Sequence, residues 1–177
     1  MFADKLFGPI KQWGYLVKDL DEAMDCWVKQ LGVGPFWGYR NVPVTAYFQG
    51  QETQVLMDVA LAYQNGVQIE LIHQTNHVLS PYSEFYKTDK KQFLHQVAYH
   101  AANIDEAVAK ARAVGMEEVG SIKTMMETRY VYMSSPQMAG LVIELMEVDD
   151  GIVADFDRCA KESEQWDGSE PFRLISL

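Results

Sequence analysis

The chain has 177 residues, of which 15 are basic and 25 acidic, so its formal net charge is -10. Such a charge repels phosphate backbones and argues against a nucleic-acid partner, since no basic patch of useful size interrupts it. Apolar residues make up 48% of the chain and charged residues 23%, as in a globular protein with a real core. The sequence has neither a signal-peptide pattern nor a run of about 18 apolar residues, so we expect a cytoplasmic protein without a membrane partner.

The first part of the chain predicts one helix and four strands. Apolar residues recur with the 3.6-residue spacing of an amphipathic helix over 20–31, where Asp19 is placed to cap the N-terminus and Gly32 to end the helix. Asn65 and Gly66 form a strong hairpin-turn pair. The predicted strands cover residues 10–17, 34–48, 54–63 and 67–73.

The same order of strand, helix and three strands follows in the second part. The predicted helix covers 104–114 and ends at Gly115, and the predicted strands cover 93–101, 118–123, 129–134 and 140–148. Helical spacing over 152–162 then leads into an irregular end that we expect to dock on the surface. We therefore divide the chain into a first module (5–78), a connector with a short helix (79–91), a second module (92–148) and a C-terminal helix and tail (149–177).

An internal repeat relates the two modules. Residues 12–24 reappear, altered, as residues 96–108, and residues 67–72 reappear as residues 141–146. Each module therefore looks like one copy of the same supersecondary unit. Paired modules usually place a ligand site between them, and the repeat indicates which residues face it.

Side chains alternate between the two faces of a strand, which predicts the lining of that site. The helix covers one face of the first strand, where we expect Trp13 and Tyr15. The opposite face then carries Gln12, Gly14 and Leu16 in the first copy, and Gln96, Ala98 and His100 in the second. By the same alternation Glu70 and Glu144 point to this open side, where the small residues at positions 14 and 98 leave room.

The two equivalent carboxylates, Glu70 and Glu144, are the most informative residues. A carboxylate in an apolar strand is costly to bury without a cation, a proton or a hydrogen-bond network. Two carboxylates that share one cavity cannot both ionise cheaply, so the pKa of one of them is expected to rise. A raised pKa suits a general acid or base near neutral pH.

At these residues the chain resembles the vicinal oxygen chelate superfamily, which includes glyoxalase I, methylmalonyl-CoA epimerase, extradiol dioxygenases and bleomycin-resistance proteins. The resemblance is nearest to the glyoxalase-like branch around the epimerase. It implies an α+β fold in which two βαβββ modules form an eight-stranded half-open barrel, with one metal held by the first and last strand of each module. The stretches that carry it are YLVKDLDEA at 15–23, LGVGPF at 31–36, QIELI at 68–72, LHQVAY at 94–99 and VIEL at 142–145.

The four metal positions implied by this resemblance fall on Gln12, Glu70, Gln96 and Glu144. Relatives near the epimerase typically carry His at the two positions where this chain has Gln. A Gln oxygen is a neutral ligand, and two Gln with two Glu favour Mg²⁺, Mn²⁺ or Co²⁺ over Zn²⁺ or Fe²⁺. A metal-free site is the alternative, and iron oxygenase chemistry is disfavoured because it requires two His and a carboxylate.

The histidines offer one alternative ligand. His95 is adjacent to Gln96 but faces the other way under strict alternation, so it would serve only if a β-bulge reversed the local register. His100 shares the face of Gln96 but lies roughly 13 Å along the strand, too far to bind the same ion. It is predicted either to meet a ligand at the rim of the barrel or to lie in water, whereas His73 and His77 are predicted to be surface residues.

Two functions are compatible with these residues. The first is an epimerase, isomerase or lyase that moves a proton next to a carbonyl of a small molecule, with acyl-CoA as a candidate and with Glu70 or Glu144 as the catalytic group. The second is binding or sequestration without catalysis, as in bleomycin-resistance proteins. Candidate ligand contacts in either case are His100, Phe36, Trp37, Tyr63 and Tyr130.

A structural reading stays open for the same four positions. Each Glu is then bonded to a Gln amide, and the four side chains form an inert polar plug. Relatives often pair modules between chains, so we also expect a homodimer.

Overall fold

Strand, helix and three strands occur twice in the chain, as the sequence predicts. The computed structural model describes residues 6–138 and 140–176. The first module contains β1 (Gln12–Val17), α1 (Leu20–Leu31), β2 (Phe36–Phe48), β3 (Gln51–Gln64) and β4 (Val67–Gln74). After a short helix, α2 (Ser83–Tyr86), the second module contains β5 (Gln92–Ala101), α3 (Ile104–Ala113), β6 (Glu117–Lys123), β7 (Arg129–Ser134) and β8 (Val142–Glu147). The tail forms α4 (Asp150–Glu164) and β9 (Phe172–Ser176).

Local sequence signals explain where the two module helices begin and end. The Asp19 carboxylate accepts the Glu22 N–H at 2.8 Å at the start of α1, and Gly32 ends this helix in the left-handed region with φ of 66°. The bounds and both caps of α1 are therefore confirmed. The Asn103 side chain caps α3 in the same way, accepting the Glu106 N–H at 3.1 Å.

The strands close into a barrel. The order around the sheet is β3-β4-β1-β5-β8-β7-β6-β2, and β2 also pairs with β3. Within each module the first and last strands are parallel neighbours, and the antiparallel pair of β1 with β5 joins the modules on one side. On the other side Thr45 to Tyr47 of β2 pairs with Ser121 to Lys123 of β6. The expected eight strands and two modules are thus present, but the pairing of β2 with β6 closes a barrel that is predicted from the sequence to be half-open.

Apolar clusters lie on both sides of the barrel wall. An outer cluster packs under α1, where the Tyr15 ring lies 5.1 Å from that of Trp27, and another packs under α3. Trp13, which is also predicted to lie under α1, is 42% exposed, because the helix covers Tyr15 and not Trp13. The inner cluster consists of Leu16, Val44, Ala46, Val55, Met57, Ile72, Tyr82, Phe85, Ile122 and Tyr132.

The connector enters the barrel. It contains the predicted short helix, α2, and it places Tyr82 and Phe85 in the inner cluster. The Tyr82 hydroxyl lies 2.7 Å from the Tyr132 hydroxyl of β7. The segment that links the two modules therefore also fills part of the space between them.

The C-terminal tail has more regular structure than the sequence predicts. The helix α4 packs on β3 and places Phe156 5.9 Å from His100 at the end of β5. The irregular end predicted after it is wrong, because Phe172 to Ser176 forms β9 and pairs in parallel with β2. Across 6–138 and 140–176 no helix has the length and hydrophobicity that crossing a membrane requires.

We expect Asp19→Ala to lower the free energy of unfolding by about 1 kcal/mol, because it removes the cap of α1. Chemical denaturation measures this change. The control is Asp25→Ala on the same helix, which removes an exposed ion pair with Lys29 and is expected to cost less than about 0.5 kcal/mol. Equal losses in the two variants would contradict the capping role.

Candidate functional site

The topology brings four polar side chains of the two modules to one place. The strands β4, β1, β5 and β8 are consecutive neighbours in the sheet. Gly14 of β1 pairs with both Glu70 and Gln96, while Ala98 pairs with both Gln12 and Glu144. Because all four polar side chains face inward, they meet inside the barrel. We call Gln12, Glu70, Gln96 and Glu144 the quartet.

Hydrogen bonds join the amides of the quartet to its carboxylates. Gln96 Nε2 donates to Glu70 Oε2 at 3.2 Å and lies 3.5 Å from Glu144 Oε2. In the orientation that satisfies its amide, Gln12 Nε2 donates to the same two oxygens, at 3.2 Å and 3.0 Å. Glu70 is half-buried and the other three side chains are buried. The quartet is therefore one continuous buried network.

The absence of a side chain at Gly14 makes room for the quartet. A Cβ atom at this position would lie 2.4 Å from Gln96 Nε2 and 2.5 Å from Gln96 Cδ. Gly14 does not occupy the left-handed region, so this space, rather than backbone freedom, explains why glycine fits here. The sequence expectation that a small residue leaves room in front of Gln96 thus has a direct geometric basis.

Burial changes the acid–base properties of both carboxyls. It raises the pKa of Glu70 to about 7, and the hydrogen bond from Gln96 only partly opposes this rise. Burial, followed by the neighbouring charge of Glu70, raises the pKa of Glu144 well above its usual range. Hydrogen bonds from Gln96 and Tyr132 favour the ionised form of Glu144 but do not reverse the rise. The pair therefore favours holding a proton near neutral pH.

A β-bulge turns His95 into the barrel. The register between β1 and β5 shifts at this point, since Gly14 pairs with Gln96 and Tyr15 pairs with Leu94, which leaves His95 as the extra residue. Its Nδ1 contacts Gln96 Oε1. The structure thus contains the bulge that the sequence left open, and strict alternation fails at this position. His95 nevertheless contacts a quartet amide and not the carboxylates.

Tyrosine rings surround the carboxylates and His95. The rings of Tyr82 and Tyr132 lie edge-on to that of His95 at 5.5 Å and 5.7 Å. Burial raises the pKa of both hydroxyls well above the usual value, and burial together with the charges of Glu144 and Glu70 also raises the pKa of Tyr130. These phenols stay protonated and can donate hydrogen bonds. Tyr82 is not predicted at the site, because no local signal in the sequence shows that the connector enters the barrel.

Some of the residues predicted to contact a ligand lie inside the barrel near the quartet, and others lie elsewhere. Tyr130 lies close enough to the carboxylates for their charges to affect its pKa, and the Tyr63 hydroxyl bonds to Gln68 at 2.6 Å. Trp37 packs edge-on against Tyr63 at 6.1 Å. His100 packs against α4, so contact between it and a ligand stays a prediction.

Phe36 lies outside the chamber. It is fully buried in the outer cluster under α1, so it is in no position to contact a ligand beside the carboxylates. Of the two histidines predicted on the surface, His77 is exposed, whereas His73 is half-buried and its Nδ1 lies 3.1 Å from the Val17 carbonyl.

A cleft leads from the surface to His95. It has a volume of about 340 Å³, within the range of small-molecule sites, and lies between the connector and β8. Leu16, Phe85 and Phe93 contribute apolar walls, while Lys90 lies at the edge with its Nζ 4.7 Å from the centre of the Phe93 ring. His95 is thus shared between the cleft and the hydrogen-bond network of the quartet.

With both amide oxygens turned toward the carboxylates, the quartet would supply four oxygen donors, which suit an oxygen-preferring cation. The described part of the chain has no group of three His, Cys, Asp or Glu residues that could hold a metal, so any such site depends on amide oxygens. Each Gln amide has a terminal atom 3.0–3.5 Å from both Glu70 Oε2 and Glu144 Oε2. That spacing is close to the ~3 Å between neighbouring ligand atoms around a small octahedral cation such as Mg²⁺. The fit requires both amide oxygens to turn inward.

Comparison with known sequences assigns the family. Residues 11–133 match the family described as the Glyoxalase/Bleomycin resistance protein/Dioxygenase superfamily. The chain therefore belongs to this superfamily, and the resemblance drawn from the sequence is confirmed. No curated protein sequence matches the chain.

Several solved structures share the fold of the chain. Methylmalonyl-CoA epimerase from Mycobacterium tuberculosis superimposes with a TM-score of 0.58 at 23% identity, covering 87% of this chain and 97% of the epimerase. A hypothetical protein from Bacillus halodurans gives a TM-score of 0.57 at 15% identity over 80% of this chain and 95% of its own. A second methylmalonyl-CoA epimerase structure gives 0.54 at 20% identity over 84% and 100% of the two chains. At these identities the comparison establishes the fold.

We predict that Gly14→Ala destabilises the protein by about 1–3 kcal/mol, because the new methyl group displaces Gln96. Denaturant unfolding measures the loss. Gly151→Ala is the control, since a Cβ there meets only Asp149 Oδ1, at 3.2 Å. Adding Gln96→Ala to Gly14→Ala removes the clash, so the two costs are expected to be strongly non-additive. Simple additivity would contradict the steric account.

The raised carboxyl pKa values predict how stability depends on pH. The folded state binds more protons than the unfolded state once pH exceeds the usual carboxyl pKa, so the free energy of unfolding falls as pH rises. For Glu70 this fall spans from about 4.5 to about 7, and Glu144 extends it upward. Denaturant unfolding in EDTA between pH 4.5 and 8 tests this. The Glu70→Gln/Glu144→Gln variant is expected to give a flatter profile, and a parent profile that rises over this window would contradict the assignment.

Proposed function

We propose that the chain is an enzyme that moves a proton on the carbon next to a carbonyl of a small molecule, as an epimerase, isomerase or lyase does. One carboxylate of Glu70 and Glu144 takes the proton. The observation that supports this proposal is the convergence of both carboxylates, one from each module, on the same two amide nitrogens within a largely buried chamber.

The environment of the carboxylates suits proton transfer. Burial brings the pKa of Glu70 to about 7, so its ionised form is a stronger base than an exposed carboxylate and is still populated near neutral pH. Glu144, with its higher pKa, is suited to hold a proton and return it. In an epimerase the two carboxyls would serve opposite faces of the carbon, one removing the proton and the other delivering one.

Neutral donors around the carboxylates support the same proposal. Removal of a proton next to a carbonyl puts negative charge on the carbonyl oxygen, which aligned hydrogen-bond donors stabilise. The Gln96 amide and the hydroxyls of Tyr132 and Tyr82 are such donors, and the two tyrosines are almost fully buried.

Acyl-CoA thioesters are the first substrate class to test. Two of the structures of similar fold are methylmalonyl-CoA epimerases, which suggests this class. The cleft of about 340 Å³ accepts an acyl group rather than a whole coenzyme, so the coenzyme would lie outside. Lys90 at the cleft edge could then contact a phosphate or carboxylate.

Gln12, Glu70, Gln96 and Glu144 would also hold a divalent cation, for which Mg²⁺, Mn²⁺ or Co²⁺ are the candidates. When bound, such an ion supplies a Lewis acid that polarises the substrate carbonyl. Proton transfer by the carboxyl pair does not itself depend on this ion in our proposal.

A second candidate function is ligand binding without catalysis, as the name of the bleomycin-resistance members of the superfamily suggests. It is favoured by the internal satisfaction of the quartet, whose amides already bond to its carboxylates. Among the described residues the one buried side-chain polar atom without a partner is Ser163 Oγ, which is remote from the quartet in sequence.

Deuterium incorporation at the acidic carbon distinguishes the two functions. We expect the protein to exchange this hydrogen in methylmalonyl-CoA or a related acyl-CoA in D₂O, and we expect Glu70→Gln and Glu144→Gln each to slow the exchange at least 100-fold. Glu117→Gln, at an exposed position at the start of β6, is the control and should retain the parent rate. Mass spectrometry follows the incorporation.

If the parent protein binds an acyl-CoA or aromatic ligand but exchanges no hydrogen across a panel of such compounds, the binding function is the better account. Exchange at the parent rate in both Glu variants would instead contradict the role of the carboxyl pair.

A further inference from the structure

On the side away from the carboxylates, the amide of Gln12 is hydrogen-bonded to a second buried amide, that of Gln68. Gln68 precedes Glu70 by two residues on β4 and lies directly beside Gln12 in the parallel pair of β1 with β4. Only 3% of Gln68 is exposed. Its side chain lies between the Gln12 amide, at 2.6 Å, and the Tyr63 hydroxyl, also at 2.6 Å. A buried chain of three polar groups therefore ends on the quartet.

These three hydrogen-bonded side chains have two self-consistent orientations, because an amide group can exchange the positions of its nitrogen and its oxygen. In the first, Tyr63 donates to Gln68 Oε1, Gln68 donates to Gln12 Oε1, and Gln12 Nε2 donates to both carboxylates. In the second, Gln12 Nε2 donates to Gln68 Oε1, Gln68 Nε2 donates to the Tyr63 hydroxyl, and Gln12 Oε1 faces the carboxylates. In the first orientation the amide groups of both Gln12 and Gln68 have hydrogen-bond partners. In the second, the inward oxygen needs a cation or a proton between it and the carboxylates.

The geometry points to Gln68 as a positioning residue that turns the Gln12 oxygen toward a divalent cation held by the quartet. This inference rests on the cation site described under the proposed function and adds the residue that orients one of its ligands. A freely rotating amide loses orientational freedom when it binds an ion, whereas an amide whose nitrogen is already bonded to a fixed acceptor loses less. In the second orientation Gln68 Oε1 is such an acceptor, because Gln68 Nε2 donates to the Tyr63 hydroxyl.

The role is specific to the first module. The Gln96 oxygen contacts His95 Nδ1 instead of a second amide, so among the described residues no equivalent of Gln68 stands behind Gln96. Removal of Gln68 is therefore expected to weaken cation binding without removing it, because Glu70, Glu144 and Gln96 remain.

The test is the affinity of the full-length protein for Mn²⁺, measured by titration calorimetry and by loss of the free-ion paramagnetic resonance signal. We expect Gln68→Met to raise the Kd at least tenfold. Gln74→Met is the matched control, because Gln74 is 6% exposed on the same strand and its amide bonds to Asn76 and Val78 away from the quartet. It should lower Tm but keep the parent Kd.

Tyr63→Phe is a milder second variant, which removes only the hydroxyl behind Gln68 and keeps the ring. We expect it to raise the Kd about threefold and to bind Mn²⁺ even if Gln68→Met does not fold. A Kd unchanged in Gln68→Met, or in Tyr63→Phe where the former is unfolded, would overturn the inference. A parent protein that binds no Mn²⁺ would also overturn it.

The same experiment separates this inference from the proposed function. Hydrogen exchange by the EDTA-treated parent, together with its loss in Glu70→Gln, supports the carboxyl pair even when no Mn²⁺ binds. Tight Mn²⁺ binding that depends on Gln68, in a protein that exchanges no substrate hydrogen, would support the positioning role alone.

Discussion

The pairing of four particular strands is the constraint on which the rest of the structure depends. In each module the first and last strands are parallel neighbours, and the modules join through the antiparallel pair of β1 with β5. Residues far apart in the chain, at positions 12, 70, 96 and 144, therefore lie on four adjacent strands. A parallel pair requires a long crossover between its strands, and in each module the helix and two further strands supply it. The topology thus delivers two carboxylates and two amides to one chamber.

Collecting these groups has an energetic cost that the surroundings only partly offset. Two carboxyls a few ångströms apart in a buried site oppose each other's ionisation. Gln96 and Gln12 donate to both, which lowers the cost but leaves the pKa of Glu70 near 7 and that of Glu144 higher. A protein that needed only a stable barrel would be served as well or better by apolar residues at these positions. The raised pKa values of the two carboxyls are the physical reason for our proposal that the quartet has a chemical role.

Sequence reasoning recovers the parts of the fold that local patterns encode. The helix α1 begins and ends where Asp19 and Gly32 indicate, and the duplicated order of elements follows from the repeat. Alternation along single strands also predicts that the quartet faces inward, because a period of two is a local property. These inferences needed no knowledge of which strand lies beside which.

The features that the sequence did not predict all depend on contacts between distant segments. The extra residue at His95 becomes visible only when β5 is aligned with β1, since a bulge is a property of a pair of strands. The strand β9 forms because β2 offers a free edge, and nothing in its five residues specifies that partner. Phe36 packs in the core under α1, and the register of β2 against β3 shifts between Tyr39 and Val42, so alternation counted along β2 alone does not predict which face Phe36 occupies.

Tyr82 gives the linker between the two halves a second consequence. A tether of this kind ordinarily varies in length without harm, because it lies in solvent. Here its ring occupies the interior and packs edge-on against both His95 and Tyr132, so insertions or deletions near residue 82 would disturb the packing inside the barrel. The length of this linker is therefore constrained by the packing of the interior and not only by the distance between the two modules.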